Sequence, residues 1–273
     1  MKLIFLDIDG TLTEAGTNVP PDSALEAIRR TQKLGNKVFL CTGRNYAMLK
    51  PLLQYGFDGM VASAGGYVTI GDTVIYDDPM PQADVERALH VLHKNGVFCT
   101  IEAREKTYGD ENLGAFLETA DAGNSELERW RKALSERLNI LPMSEYDGRP
   151  IYKIVIMCMK MEQLDEARRL LEDDYEFVIQ EISDHANCKN GELINRVFDK
   201  GKGIRRVAEA LNVPIEDTYG FGDSMNDVAM IQTVGTGVCM ANGANSLKEM
   251  CDLVVPSVSE DGLFRGFEQL GLI

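Results

Sequence analysis

The sequence predicts an α/β protein whose parallel sheet is interrupted by an inserted α+β domain. Short apolar runs alternate with helical patterns toward both ends of the chain, which is typical of βαβ units. Polar segments directly follow several of these runs, as expected at the carboxyl edge of a parallel sheet. Between Pro81 and Asp184 the order of strands and helices changes. The predicted domains are therefore a core of residues 1–80 and 187–273 and an insert of residues 81–186.

Length and composition favour a globular protein with one large or two unequal domains, because the chain has 273 residues and 44% of them are hydrophobic. A formal net charge of −15 disfavours nucleic acid and anionic membrane surfaces as partners. No apolar stretch approaches the roughly 20 residues of a membrane span. Six scattered cysteines without a C-x-x-C pair favour reduced thiols and a cytoplasmic location. The oligomeric state has no signature in the sequence.

The elements of the core follow from its apolar runs and helical spacings. Before the insert we expect strands over 3–6, 37–41 and 60–62, helices over 22–34 and 46–55, and a hairpin over 68–76. After the insert we expect helices over 202–211, 228–232 and 246–251, strands over 218–221, 237–240 and 253–255, and a terminal helix.

The insert is predicted to mix strands with helices, including a charged helix over 125–138 and a polar return crossing over 184–191. Its other expected elements are helices over 83–94 and 162–171 and strands over 97–101, 152–159 and 177–182. His90 and His93 share one face of its first helix, and we interpret them as solvated positions and not as a metal pair.

Two carboxylates end the first strand. Asp7 and Asp9 follow the apolar run 3–6, and the turn at Gly10 can bring both into one crevice. Crowded carboxylates repel unless a cation neutralises them, so this pattern suggests Mg²⁺. The alternative is that the two aspartates merely end a strand and form a turn.

Three later segments also lie where strands end or helices begin. Thr42 and Gly43 can hold phosphate oxygens, and Lys202 offers a compact cation at a predicted helix start. The loop after the strand 218–221 supplies oxygen and amide groups from Asp223, Asn226 and Asp227. Each segment alone also fits an ordinary turn or exposed helix start. Together they predict metal-assisted phosphoryl transfer.

These four motifs, in this order and spacing, resemble those of the haloacid dehalogenase superfamily and its Cof-type sugar-phosphatase branch. They read Asp7-x-Asp9-Gly10-Thr11, Thr42-Gly43-Arg44, Lys202-Gly203 and Gly222-Asp223-x-x-Asn226-Asp227. The resemblance implies a Rossmann-like core with an inserted cap that sets substrate specificity. Arg44 could reach the substrate or form an ion pair.

The resemblance also implies a role for each motif residue. Asp7 would be the nucleophile, Asp9 the general acid and base, and Lys202 the catalytic cation. Phosphate would be held by Thr42, Gly43 and Asn226. Mg²⁺ would be held by Asp7, the backbone carbonyl of Asp9, Asp223 and, in a supporting position, Asp227.

The resulting expectation is a Mg²⁺-dependent phosphomonoesterase that acts on small phosphorylated metabolites, above all sugar phosphates, through an aspartyl-phosphate. One alternative is a phosphomutase, which returns the phosphoryl group to its substrate. Another is a phospho-accepting binding or signalling domain without turnover, which needs no general acid at Asp9. The particular metabolite cannot be read from the sequence.

Overall fold

The computed structural model describes residues 1–119, 140–179 and 187–273. The chain forms two compact units, one of Met1–Asp77 and Phe198–Ile273 and the other of Asp78–Val197. The predicted exit from the core lies close to the observed one, but the predicted return at residue 187 is wrong. The chain forms a strand of the second unit over Lys189–Asn195, so it re-enters the first unit only at Phe198.

The first unit contains a largely parallel sheet, which confirms the predicted α/β class. Its strand order is β14-β13-β12-β1-β2-β3-β4-β5. The pairs β3–β4 and β4–β5 are antiparallel, and all other neighbouring strands of this sheet are parallel. The strands are β1 Leu3–Leu6, β2 Lys37–Cys41, β3 Gly59–Ala62, β4 Tyr67–Ile70, β5 Thr73–Asp77, β12 Thr218–Gly222, β13 Thr236–Met240 and β14 Leu253–Val255. Every residue of β1 is buried, which explains its uninterrupted apolar run.

Helices connect the parallel strands of this unit. They are α1 Asp22–Lys33, α2 Tyr46–Leu53, α6 Lys200–Ala210, α7 Val228–Ile231, α8 Asn245–Lys248 and α9 Gly262–Gln269. Helix α6 begins two residues before the predicted start. The carboxylate of Asp199 caps it by accepting the backbone N–H of Lys202 at 2.7 Å.

The second unit is built on a mixed sheet with the strand order β10-β11-β9-β6-β7-β8. Its strands are β6 Phe98–Ala103, β7 Thr107–Gly109, β8 Ile140–Pro142, β9 Ile151–Cys158, β10 Tyr175–Ile179 and β11 Lys189–Asn195. Its helices are α3 Gln82–Lys94, α4 Leu113–Thr119 and α5 Asp165–Leu171. The predicted helix over 125–138 lies outside the described residues, as do the last residues of the predicted strand 177–182.

Strand β11 includes the last three residues of the predicted polar crossing over 184–191, and the first three residues of that crossing lie outside the described ranges. The strand pairs with β9 on one side and β10 on the other, so its backbone groups are hydrogen-bonded within the sheet. Asn190 belongs to the predicted crossing, yet it is buried on this strand, as is Glu192. Within the described ranges, no helix has the length and apolar character needed to cross a membrane.

Candidate active site

Asp7 stands at the carboxyl end of the strand that lies in the middle of the parallel sheet. β1 pairs with β12 and β2, and the backbone N–H of Asp7 donates to the Phe221 carbonyl at 2.9 Å. This bond extends the ladder one residue beyond β1. The residue is only 4% exposed. The fold thus fixes one carboxyl group where the apolar strand meets the edge of the sheet.

Lys200 supplies a buried positive charge next to Asp7. Its Nζ lies 2.7 Å from Oδ1 of Asp7 and 2.5 Å from Oδ1 of Asp227. It also donates to the amide oxygen of Asn226 at 3.2 Å. The lysine is 3% exposed, so solvent screens these contacts weakly.

The structure places Lys200 next to Asp7, and not Lys202, which the sequence predicts for that position. The Lys202 side chain is 46% exposed, and its Nζ lies 3.5 Å from Asp199 at the start of the helix. Residues two apart on a helix do not share a face, so only one of the two lysines can point to the sheet edge. The earlier start of α6 gives that position to Lys200.

The loop after β12 brings two more carboxylates to the site. Asp227 is fully buried, and its Oδ2 accepts the backbone N–H groups of Asp223 at 3.0 Å and Ser224 at 3.2 Å. The Asp223 carboxylate accepts the Thr11 hydroxyl at 3.3 Å. Gly10 has φ of 86°, and a Cβ there would lie 2.4 Å from an Asp223 oxygen. The close approach of these two loops therefore requires glycine at position 10.

The protonation of this cluster reflects burial together with like charge. Burial, followed by the charge of Asp227, raises the pKa of Asp7 to about 7, although Lys200 opposes both. Burial, followed by the charges of Asp7 and Asp227, raises the pKa of Asp223 to about 9. Burial disfavours the charged form of Lys200, yet Asp227 and Asp7 outweigh it and hold its pKa well above the usual value. The three carboxyl groups of Asp7, Asp223 and Asp227 thus face a single positive charge, that of Lys200.

The surplus of negative charge fits a hard divalent cation. Carboxylate oxygens of Asp7, Asp223 and Asp227 all lie within 4.8 Å of one another. Oxygen ligands of this kind suit Mg²⁺ or Ca²⁺ better than a softer ion. Three of the predicted metal ligands are therefore brought together. The predicted ligation by the Asp9 backbone carbonyl stays a prediction.

Asp9 takes part in a different contact, with Arg44. Nε of Arg44 donates to one Asp9 oxygen at 2.8 Å, and Nη2 donates to the other at 2.6 Å. The backbone N–H of Gly16 also donates to the carboxylate at 2.9 Å. Arg44 is 6% exposed, and its Nη1 donates to Asn18 at 2.6 Å. Of the two possibilities for Arg44, the structure shows the ion pair, and it fixes the orientation of Asp9.

The predicted phosphate-binding residues lie at two strand ends of the same sheet. Thr42 is buried directly after β2, and its hydroxyl oxygen accepts the backbone N–H of Arg44 at 3.1 Å, which leaves the hydroxyl proton for another acceptor. Gly43 is half-buried beside it. The amide oxygen of Asn226 accepts from Lys200 and from Ser224, so its amide nitrogen carries the donors that a phosphate would need.

Sequence reasoning missed Lys200 and one loop contact. The signal that could have identified Lys200 is Asp199, because an aspartate before a helical pattern is a strong N-cap.

The missed loop contact is made by Asn242. Its side-chain amide donates to the Gly10 carbonyl at 2.8 Å and so connects the loop after β1 to the loop after β13. No sequence spacing identifies that contact, because it joins segments far apart in the chain.

The chain belongs to the haloacid dehalogenase-like hydrolases. The model of that family matches residues 4–267, which cover the whole second unit and most of the first. This confirms the resemblance inferred from the four motifs, and with it the assignment to the hydrolases.

Named relatives and solved structures agree with this membership. The chain is 31% identical over 284 residues to YkrA of Bacillus subtilis (strain 168), covering 100% of this chain and 98% of YkrA. It is 28% identical over 287 residues to the 5-amino-6-(5-phospho-D-ribitylamino)uracil phosphatase YwtE of the same organism, covering 99% and 98%. A solved sugar phosphatase of subclass IIB shares the fold, with a TM-score of 0.80, 24% identity and full coverage of both chains.

Proposed function

We propose that this chain is a Mg²⁺-dependent phosphomonoesterase that hydrolyses sugar phosphates and related polyol phosphates by way of a phosphorylated Asp7. The observation that carries the proposal is the buried contact of Asp7 with Lys200 beside two further carboxylates. The names of two similar proteins support the substrate class, since one is a sugar phosphatase and the other acts on a phosphoribityl compound. The chain's membership in the hydrolase family supports the reaction.

In the first step a carboxylate oxygen of Asp7 attacks phosphorus, and the bond to the leaving oxygen breaks. Asp9 donates a proton to that oxygen, and the phosphoryl group remains on Asp7. Lys200 stabilises the added negative charge, while Thr42, Gly43 and Asn226 donate hydrogen bonds to the phosphoryl oxygens. Bound Mg²⁺, held by Asp7, Asp223 and Asp227, would neutralise charge on the same oxygens.

In the second step Asp9 accepts a proton from water, and the water oxygen attacks phosphorus. The bond to Asp7 breaks, and inorganic phosphate is released. The paired contact with Arg44 holds the Asp9 carboxylate in one orientation for this proton transfer. A phosphomutase would share the first step but return the phosphoryl group to a sugar.

Release of inorganic phosphate from a panel of sugar and polyol phosphates, with Mg²⁺ or with EDTA, tests the function. We expect Mg²⁺-dependent release with the wild-type protein and none with Asp7→Asn, whose amide cannot attack phosphorus. Isomerised sugar phosphate without inorganic phosphate would instead establish a mutase. A stable phosphoprotein without product release would establish a phospho-accepting domain.

The roles of the two aspartates are separated by Asp9→Asn with an aryl phosphate. Loss of the general acid and base should slow the hydrolysis of sugar phosphates by on the order of 10²–10⁴-fold. An aryl leaving group needs little protonation, so we expect a burst of phenol and a phosphoryl group trapped on Asp7, detected by mass spectrometry after acid quenching. Equal losses for both substrates without a burst would contradict the assignment.

A further inference from the structure

We propose that His93, Cys99 and Asp110 form a second metal site, in the second unit, that binds a divalent transition-metal ion and matches Zn²⁺ best. Nε2 or Nδ1 of the histidine, Sγ of the cysteine and a carboxylate oxygen of the aspartate all lie within 4.8 Å of one another. This site is distinct from the aspartate cluster of the first unit in both location and ligand type.

The contacts around Asp110 hold the three residues together. Nε2 of His93 lies 3.0 Å from Oδ1 and 3.1 Å from Oδ2 of Asp110. The backbone N–H of Cys99 donates to Oδ2 at 2.7 Å, and the backbone N–H of Asp110 donates to the Cys99 carbonyl at 3.0 Å. Asp110 is thus fixed to strand β6 by both its backbone and its side chain.

Three ordered elements supply the ligands. His93 lies in the last turn of α3, Cys99 is the second residue of β6, and Asp110 directly follows β7. The pairing of β6 with β7 places Thr100 opposite Gly109, and so brings Asp110 beside Cys99. A site built on a helix end and two paired strands needs little rearrangement to bind an ion.

The ligand chemistry selects a transition metal over Mg²⁺. Thiolate, imidazole and carboxylate are the three ligand types that proteins use for Zn²⁺, whereas Mg²⁺ prefers oxygen alone. Cys99 is fully buried in the apolar core, while the His93 side chain is 40% exposed. An ion would therefore enter from the histidine side. Binding would break the hydrogen bond between His93 and Asp110, and the protons of the Cys99 thiol and of the His93 nitrogen that binds the ion would leave to solvent as the metal–ligand bonds form.

The alternative interpretation is that His93 and Asp110 form only an ion pair, without a metal. Hydrogen bonding to Asp110 raises the pKa of His93, as expected for such a pair. That interpretation requires no contribution from the Cys99 sulfur. A probe that reports metal–sulfur bonds therefore distinguishes the two.

Titration of the metal-free full chain with Co²⁺, in the presence of excess Mg²⁺, provides that probe. Mg²⁺ occupies the aspartate cluster, and a sulfur-to-cobalt charge-transfer band in the near ultraviolet reports thiolate ligation. We expect the band to saturate at one equivalent of Co²⁺ and to disappear on addition of Zn²⁺, which binds the same ligands more tightly.

Two variants and their matched controls decide the assignment. Cys99→Ser should abolish the band, whereas Cys188→Ser, a change at another buried cysteine of the same unit, should retain it. His93→Gln, at a partly exposed position that should not impair folding, should weaken Co²⁺ binding by at least about 10-fold. His90→Gln on the same helix should leave it unchanged.

Absence of the band in the wild-type protein would overturn the proposal, as would a band that survives His93→Gln with unchanged affinity. Both outcomes are independent of phosphatase activity, which depends on the first unit. Failure of the proposed function would therefore leave this result intact, and the reverse also holds.

Discussion

In each unit a lysine is buried between two carboxylates, but the two clusters are built differently. In the first unit Lys200 contacts Asp7 and Asp227 at 2.7 and 2.5 Å. In the second unit Nζ of Lys153 lies 2.6 Å from Glu192 and 3.4 Å from Glu102. Both lysines are almost completely buried. The difference lies in what holds these residues in place and in which further charges join them.

Strand pairing positions the cluster of the second unit. Glu102 is paired directly with Lys153 between β6 and β9, and Glu192 lies on β11, the strand on the other side of β9. The first cluster instead combines Asp7 directly after a strand, Asp227 at the end of a short 3₁₀ turn and Lys200 at the start of a helix. Residues outside regular strands can converge on one point from several directions, as a reactive site requires.

The first cluster also includes a third carboxylate. Asp223 lies within ligand distance of Asp7 and Asp227, whereas no three-ligand group found among the described residues contains Glu102 or Glu192. The first cluster is therefore suited to binding a cation and the second to stabilising the sheet. Three predictions test this contrast.

The largest expected effect is on catalysis. Lys200→Met should lower kcat by about 10²–10³-fold, the usual result of removing one group that stabilises charge in the transition state. The matched control is Lys202→Met, which removes an exposed lysine whose ion pair is worth about 0–1 kcal/mol. Steady-state kinetics with a sugar phosphate measures both. Equal losses would mean that the burial of Lys200 has no catalytic meaning.

The next effect is on stability. Lys153→Met should lower the free energy of unfolding by about 3–5 kcal/mol, because it leaves two buried carboxylates without their cation. Saturating Mg²⁺ should recover part of the stability lost in Lys200→Met, since the ion neutralises the same aspartates, but none of that lost in Lys153→Met.

Urea unfolding with and without Mg²⁺ measures this difference. Lys94→Met, which removes an exposed ion pair with Glu166 in the same unit, should change the free energy of unfolding by no more than about 1 kcal/mol. Rescue of Lys153→Met by Mg²⁺ would contradict the contrast between the clusters.

The sequence predicts the parts of the candidate active site that follow apolar strands. Asp7, Thr42 and Asp223 each come directly after a buried run, so strand prediction alone places them at one edge of the sheet. The α/β class, predicted from alternating strands and helices, and the family, predicted from the four motifs, are both confirmed. The catalytic roles of these residues stay predictions.

The rest depends on tertiary contacts that leave no local pattern. The choice between Lys200 and Lys202 depends on a helix start shifted by the Asp199 cap. The predicted return to the first unit at residue 187 is too early because strand β11 carries the buried polar residues Asn190 and Glu192. The neighbours of His93 come from the register of β6 and β7, which the sequence does not specify.

The smallest expected effect is the pH dependence that Asp223 gives to the metal-free protein. Its pKa in the folded protein, about 9, is raised above its ordinary value of 3.8. The contribution of this group to stability is therefore fully present below pH 3.8 and is lost as the pH rises through about 9. Asp223→Asn removes the titration, so in EDTA the variant should gain stability relative to wild type as the pH increases.

Urea unfolding midpoints in EDTA between weakly acidic and weakly alkaline pH measure this gain. Asp72→Asn, at an exposed aspartate of the β4–β5 turn, should follow wild type throughout. With Mg²⁺ the order should reverse, because the ion stabilises the wild-type carboxylates and binds the variant poorly. A variant that is less stable than wild type in EDTA at every pH would show that Asp223 serves the fold. In that case the first cluster would be structural, as the second is.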